Sequence, residues 1–211
     1  MISRLGILGG MFDPVHNGHL EAARFAVQKL QLDQLRMIPC HLPNHRDSAV
    51  SDTAHRLSML ELATAQEPAI EVDPIEINRN RISYTVDTLT EMLRIHTRAS
   101  LVFVLGVDSF NTLPQWHHWS KLFDLCHFMV LARPGSTLAP ALGDVIDVGK
   151  RMVAAEEELF RCKSGNIYLA TDFENDISST EIRNTLTAHE DVSALLPREV
   201  IDYIRDYGLY D

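Results

Sequence analysis

Short apolar runs alternate with longer stretches of helical periodicity along the whole chain, and this alternation restricts the fold more than any other feature. Apolar runs lie at residues 4–8, 35–39, 101–105, 126–132 and 167–170, with helical spacing at 20–30, at 53–66 and from 83 onward. A strand buried on both faces has no polar side, so it reads as an unbroken apolar run. Such strands belong to parallel sheets covered by helices. The pattern predicts an α/β fold, a Rossmann-like doubly wound parallel sheet with helices on both faces. A small helical part follows at about 175–211. No repeat of solenoid length appears, and 211 residues are read as one domain spanning 1–211.

Within this frame the helix at 53–66 places Leu57, Leu60, Ala63 and Ala65 toward the core. Short extended pieces follow at 70–72 and 75–77. Another helix starts near Ser83-Tyr84-Thr85 and carries Val86, Leu89, Met92 and Leu93 at helical spacing. Residues 136–163 are less patterned and read as a loop with one helical stretch. Two short helices, 179–186 and 198–207, close the chain. In an open parallel sheet, ligands bind outside the carboxyl ends of the strands, at the switch point of the strand order. Candidate functional residues do follow separate strands there: the histidines after the first, His45-Arg46 after the second, Asp108 and Arg133 after two later ones.

The first strand-to-helix turn reads Gly9-Gly10-Met11-Phe12-Asp13-Pro14-Val15-His16-Asn17-Gly18-His19. Glycines at a strand exit let backbone approach a ligand without a Cβ in the way. The helix mouth beyond them offers unpaired N–H groups and the positive end of the dipole, so it attracts an anion. His16 and His19, three residues apart, are close enough to address one ligand, and imidazole donates to phosphate oxygen whether neutral or charged. A metal site would want further ligands, and only Asp13 stands nearby. The turn reads as a phosphate site. A second stretch, Ile177-Ser178-Ser179-Thr180-Glu181-Ile182-Arg183, opens another helix, with Ser178 and Glu181 fitting a capping box. Hydroxyls at a helix N-terminus with an arginine one turn along make a second anion clamp.

The two stretches, about 160 residues apart, resemble the G-G-x-F-D-P-x-H-x-G-H and I-S-S-T-x-I-R signatures of the nucleotidyltransferases that share H-x-G-H with class I aminoacyl-tRNA synthetases. The middle of the chain is similar to one family among them, the nicotinate-nucleotide adenylyltransferases. Leu42-Pro43-Asn44-His45-Arg46 resembles its P-P-H-[KR] loop, with Asn44 in place of the second proline. Ser83-Tyr84-Thr85 with Thr88-Leu89 matches S-Y-T-x-x-T-L. Gly106-Val107-Asp108-Ser109 and Trp116 match G-x-D-S and its following tryptophan, and His117 stands where a tyrosine is common. Arg133-Pro134-Gly135 and the stretch from Leu196-Pro197 to Tyr210 fit as well.

The resemblance implies transfer of AMP from ATP to nicotinate mononucleotide, giving the deamido dinucleotide and pyrophosphate in NAD synthesis. It implies that Gly9, Gly10, Phe12, His16, His19, Asp108, Ser179 and Arg183 bind ATP. His16, His19 and Arg183 carry the chemistry, and Arg46, Thr85, Trp116 and Arg133 contact the mononucleotide. Mg²⁺ arrives with ATP, held mostly by phosphates and water. Asp108 suits ribose hydroxyls, its rival role being a helix N-cap. Trp116 suits stacking on the pyridine, Trp119 the core. His41, His55, His96, His118, His127 and His189 receive no role. Rivals are a nicotinamide mononucleotide or phosphopantetheine adenylyltransferase, a nucleotide-binding regulator, and a zinc hydrolase. A Rossmann dehydrogenase is disfavoured because no G-x-G-x-x-G follows the first strand.

Composition bounds the partners. A net charge of −10 argues against a nucleic-acid surface, which wants a basic face. No apolar run approaches the ~20 residues that cross a bilayer, and the first residues lack a signal-peptide pattern. Cys40, Cys126 and Cys162, odd in number and widely spaced, suit reduced thiols of a cytoplasmic protein and read as small buried hydrophobes. Oligomeric state is left open.

Overall fold

Strands β1 (Arg4–Gly10), β2 (Gln34–Pro39), β3 (Ile70–Val72), β4 (Ser100–Gly106), β5 (His127–Leu131), β6 (Met152–Val153) and β7 (Ile167–Ala170) form one sheet in the order β3-β2-β1-β4-β5-β7-β6. Every pairing in it is parallel. This computed structural model describes residues 3–43, 49–132 and 137–211. The chain winds outward from β1 through β2 to β3, then returns to lay β4 on the other side of β1. The strand order reverses there, between β1 and β4, which is where an open sheet leaves a crevice.

Helices cover both faces. They are α1 (Asn17–Leu30), α2 (Thr53–Thr64), α3 (Ile75–Arg79), α4 (Thr85–Ile95), α5 (Val107–Asn111), α6 (Leu122–Leu125), α7 (Leu142–Ile146), α8 (Val148–Arg151), α9 (Ser179–Thr187) and α10 (Arg198–Tyr207). Alternation along β4 shows the two cores. Leu101, Phe103 and Leu105 pack with Leu89 and Met92 of α4, while Val102 and Val104 pack with Leu20 and Ala23 of α1 and Ile204 of α10. All five are buried, so the strand needs no polar face.

Several boundaries differ from the sequence expectation. Helix α1 begins at Asn17 rather than 20, because the Asn17 N–H donates to the Leu195 carbonyl at 2.9 Å and its side-chain amide to Ala194 at 3.0 Å. An N–H left over at a helix start is thus satisfied by chain far away in sequence. Residues 75–77, expected to be extended, form the start of α3. There the Asp73 carboxylate accepts from the Ile75 N–H at 3.1 Å and turns the chain. On α2 the inward residues are Arg56, Met59, Leu60 and Thr64, whereas Leu57 and Ala63 are half-buried and Ala65 lies exposed beyond the helix end. Residues 136–163 hold more structure than one helical stretch: α7, α8, the edge strand β6 and a 3₁₀ segment, Glu156–Arg161.

The three cysteines are free thiols, but only Cys126 is a buried hydrophobe. Cys40 is half-buried, and Cys162 is exposed, its Sγ 3.1 Å from the Ser164 carbonyl it bonds. His127 sits fully buried at the start of β5, and desolvation pushes its imidazole down to about 4, so it stays neutral. Among the described residues no helix is long and apolar enough to cross a membrane.

Candidate active site

A cleft of about 580 Å³ opens at the carboxyl ends of β1 and β4. Its floor is the turn after β1. Gly9 and Gly10 extend the strand rather than the turn, and the chain then reverses through Phe12, whose φ of +49° lies in the left-handed region. A bulky residue there is an outlier that its surroundings must hold. Phe12 is 1% exposed and its ring meets His19 edge-on at 4.9 Å. His16 caps α1 from extended backbone, and the two imidazoles stack with centroids 3.7 Å apart. The His16 N–H donates to His19 Nδ1 over a long 3.4 Å, which leaves the proton of a neutral His19 ring on Nε2. Gly18, between the histidines, has no room for a Cβ, since the Asn175 side chain lies directly over it.

The second signature reaches the same turn. The Arg183 Nη1 donates to the Asp13 carbonyl at 2.6 Å, and Ser179 Oγ donates to the Pro14 carbonyl at 3.1 Å. Arg183 also donates to Thr180 Oγ1 at 3.2 Å. Ser178 takes the N-cap position of α9, yet its side chain makes no cap hydrogen bond, so the capping box read from the sequence is not formed. Ser178 lines the cleft instead. The N-termini of α1 and α9 thus face one space, joined by the Asp13-Pro14 turn. This is an arrangement for holding a large anion.

The other wall comes from β4, α4 and the segment after α5. Asp108 is the second residue of α5, exposed and facing the cleft, while Gly106 occupies the N-cap. The capping role is therefore not what holds Asp108 there. Thr85 is the first residue of α4 and lines the cleft, as does the half-buried Trp116, whose ring meets Phe103 edge-on at 6.1 Å. Trp119 packs on Phe123 at 6.4 Å and contributes to the core. His117 lies against the Tyr84 ring at 4.2 Å, so the unusual histidine still supplies an aromatic face. The structure brings Gly9, Gly10, Phe12, His16 and His19 together with Thr85, Asp108, Trp116, Ser179 and Arg183 around one cleft. Arg46 and Arg133, with the rest of 44–48 and 133–136, lie outside the described residues.

Three residues that the sequence reading passed over support this site. Asp13 is 4% exposed, and its carboxylate accepts from the N–H groups of Val50 (2.7 Å) and Ser51 (3.2 Å) and from the Tyr210 hydroxyl (2.6 Å). Arg56, 1% exposed, donates to the carbonyls of Met11 at 2.6 Å and Cys40 at 2.8 Å, tying the exits of β1 and β2. Desolvation lowers its affinity for a proton, and the nearby Asp13 charge opposes that. Glu76 accepts from Thr88 Oγ1 at 2.6 Å on the wall that holds Thr85. The motif around Asp13 was a visible signal, whereas Arg56 carried none. Among the described residues no group of three or more His, Cys, Asp or Glu side chains is placed to hold a metal ion.

The chain is similar to known proteins along nearly its whole length. The cytidylyltransferase-like family model matches residues 7–185. A probable nicotinate-nucleotide adenylyltransferase of Shewanella frigidimarina is 39% identical over 209 residues, covering 98% of this chain and 99% of the relative. One of Cellvibrio japonicus with the same name is 41% identical over 207 residues, covering 98% of each. Among solved structures, Plasmodium falciparum nicotinic acid mononucleotide adenylyltransferase complexed with NaAD superposes with a TM-score of 0.76 over 99% of this chain and 98% of that one. At 21% identity that likeness bears on the fold alone.

Proposed function

The chain belongs to the cytidylyltransferase-like family and, within it, to the nicotinate-nucleotide adenylyltransferases; from that premise we propose how its cleft performs adenylyl transfer. The enzyme moves AMP from ATP to nicotinate mononucleotide, yielding nicotinate adenine dinucleotide and pyrophosphate in NAD biosynthesis. The observation that carries the reading is the anchoring of both anion clamps, His16/His19 and Ser179/Arg183, on one Asp13-Pro14 turn.

An oxygen of the mononucleotide 5′-phosphate attacks the α-phosphorus of ATP. The bond from that phosphorus to the α,β-bridging oxygen breaks, and pyrophosphate leaves with the electron pair. The attacking phosphate is already anionic, so no base and no covalent enzyme intermediate is required. Catalysis is positioning and charge neutralisation. His19 donates from Nε2, and His16 lies stacked beside it, to oxygens on which charge grows. Ser179 gives its hydroxyl to Pro14, so its contribution to the β- and γ-phosphates comes from the N–H groups of the first turn of α9. Arg183 has five N–H donors, of which the turn and Thr180 occupy two, and the others would serve phosphate. Gly9, Gly10 and Phe12 shape the floor under ATP, and Asp108 accepts from ribose hydroxyls.

Thr85 at the start of α4 offers donors to the nicotinate carboxylate, Trp116 stacks on the pyridine, and Arg46 and Arg133 neutralise substrate phosphate. Donors aimed at the carboxylate favour the acid over the amide, whose N–H groups would need an acceptor in the same place. Mg²⁺ would enter bound to the triphosphate and water rather than in a protein cage, and would supply neutralisation of phosphate charge beside His19 and Arg183. The whole chain, 1–211, works as one domain of a cytoplasmic enzyme.

Pyrophosphate release with ATP and Mg²⁺, measured with nicotinate mononucleotide, nicotinamide mononucleotide and phosphopantetheine in parallel, tests the assignment. Turnover is expected with the first and at least about tenfold less with the second, the scale of one mismatched polar contact. None is expected with phosphopantetheine. Preference for the amide would overturn the Thr85 pocket.

A further inference from the structure

We propose that Tyr210 is a positioning residue for the triphosphate side of the site, acting through Asp13; the inference rests on the adenylyl-transfer reading above. Tyr210 lies beyond α10, 197 positions from Asp13 in sequence, yet its hydroxyl donates to Asp13 Oδ1 at 2.6 Å. The phenol is buried, and burial, then the bond to Asp13, raises its pKa well above the ordinary tyrosine value. The proton therefore stays on Tyr210 and the donor persists through the neutral range.

The contacts of Tyr210 close a ring around α9. From the middle of that helix, Arg183 donates to the Asp13 carbonyl at 2.6 Å. At its C-terminal end, Thr187 Oγ1 donates to the Tyr210 carbonyl at 3.2 Å. The phenol joins these two contacts through the Asp13 side chain. Tyr210 also has a φ of +66°, in the left-handed region that a bulky side chain rarely adopts. Such a conformation persists where surrounding contacts impose it, and it clusters at sites where geometry serves function. Tyr210 stands behind the Asp13 side chain, so it acts by fixing where the Asp13 carbonyl sits and hence where Arg183 points. The wall carrying Thr85 and Trp116 has no part in this ring.

That separation makes a selective prediction. Tyr210→Phe keeps the ring and removes only the donor. The KM for ATP and the Kd for ATP by titration calorimetry are expected to rise about tenfold, the scale of one hydrogen bond to a charged group. The KM for nicotinate mononucleotide should stay within about twofold of wild type. Arg183→Lys should weaken ATP binding less in the Tyr210→Phe background than in wild type, because both changes release the same contact. Unchanged ATP parameters in Tyr210→Phe would overturn the proposal. So would an equal rise in both KM values with a lowered melting point, or failure of the variant to fold, since either makes Tyr210 a packing residue. Absence of turnover in the wild-type enzyme would instead overturn the reaction, and the ATP Kd would still judge Tyr210.

Discussion

His19→Ala is expected to lower kcat for dinucleotide formation by ~10²–10³-fold, the cost of removing one donor aimed at charge that develops in the transition state. The magnitude follows from the site's construction. The His16 N–H bonds His19 Nδ1, so the proton of a neutral ring sits on Nε2. Stacking on His16 and the edge of Phe12 hold the ring in place. Alanine removes the donor and leaves a gap that water fills, and water is not pre-oriented. KM for either substrate should change far less than kcat, because the lost interaction strengthens as charge grows. Steady-state kinetics of the variant checks this. A fall confined to KM would mean that His19 only binds the ground state.

The second large effect falls on stability. Arg56→Met replaces a buried guanidinium by an apolar chain of similar length, leaving the Met11 and Cys40 carbonyls without the donors that now satisfy them. An unsatisfied buried carbonyl costs ~1–3 kcal/mol, and since Met11 and Cys40 are half-buried, the two together are expected to remove ~3 kcal/mol. For a chain of this size each kcal/mol shifts the melting temperature by ~2–4 °C, so a fall of roughly 10 °C is expected in thermal unfolding. Those carbonyls sit at the exits of β1 and β2, so the cleft floor loosens with the fold. Activity measured well below the melting point should drop as well. A melting temperature unchanged within about 2 °C would show that water replaces the guanidinium at no cost.

The fold was legible because its strands are buried on both faces. The run at 101–105 has no polar residue, and neither face of β4 is solvated. The two anion clamps were legible because glycines, histidines and a helix-opening Ser/Arg pattern carry local chemistry. What escaped depends on partners far away in sequence. Helix α1 starts early because Leu195 receives the Asn17 N–H. Asp13 reads as part of a turn, and only the folded chain shows Val50, Ser51 and Tyr210 converging on it. Arg56, three residues after Thr53 on α2, looks like a solvated charge, and its burial is set by carbonyls just beyond the ends of β1 and β2. The 75–77 segment was misread because its turn is made by Asp73 and Pro74 rather than by periodicity.

The most direct test of adenylyl transfer follows the phosphates themselves. ATP labelled either at the α- or at the γ-phosphate is incubated with the enzyme, Mg²⁺ and nicotinate mononucleotide, and the products are separated. The account predicts that α-label enters the dinucleotide and γ-label appears only in pyrophosphate, both dependent on the mononucleotide. Transfer of γ-label to the acceptor, or release of α-label as AMP or ADP irrespective of the mononucleotide, would contradict it.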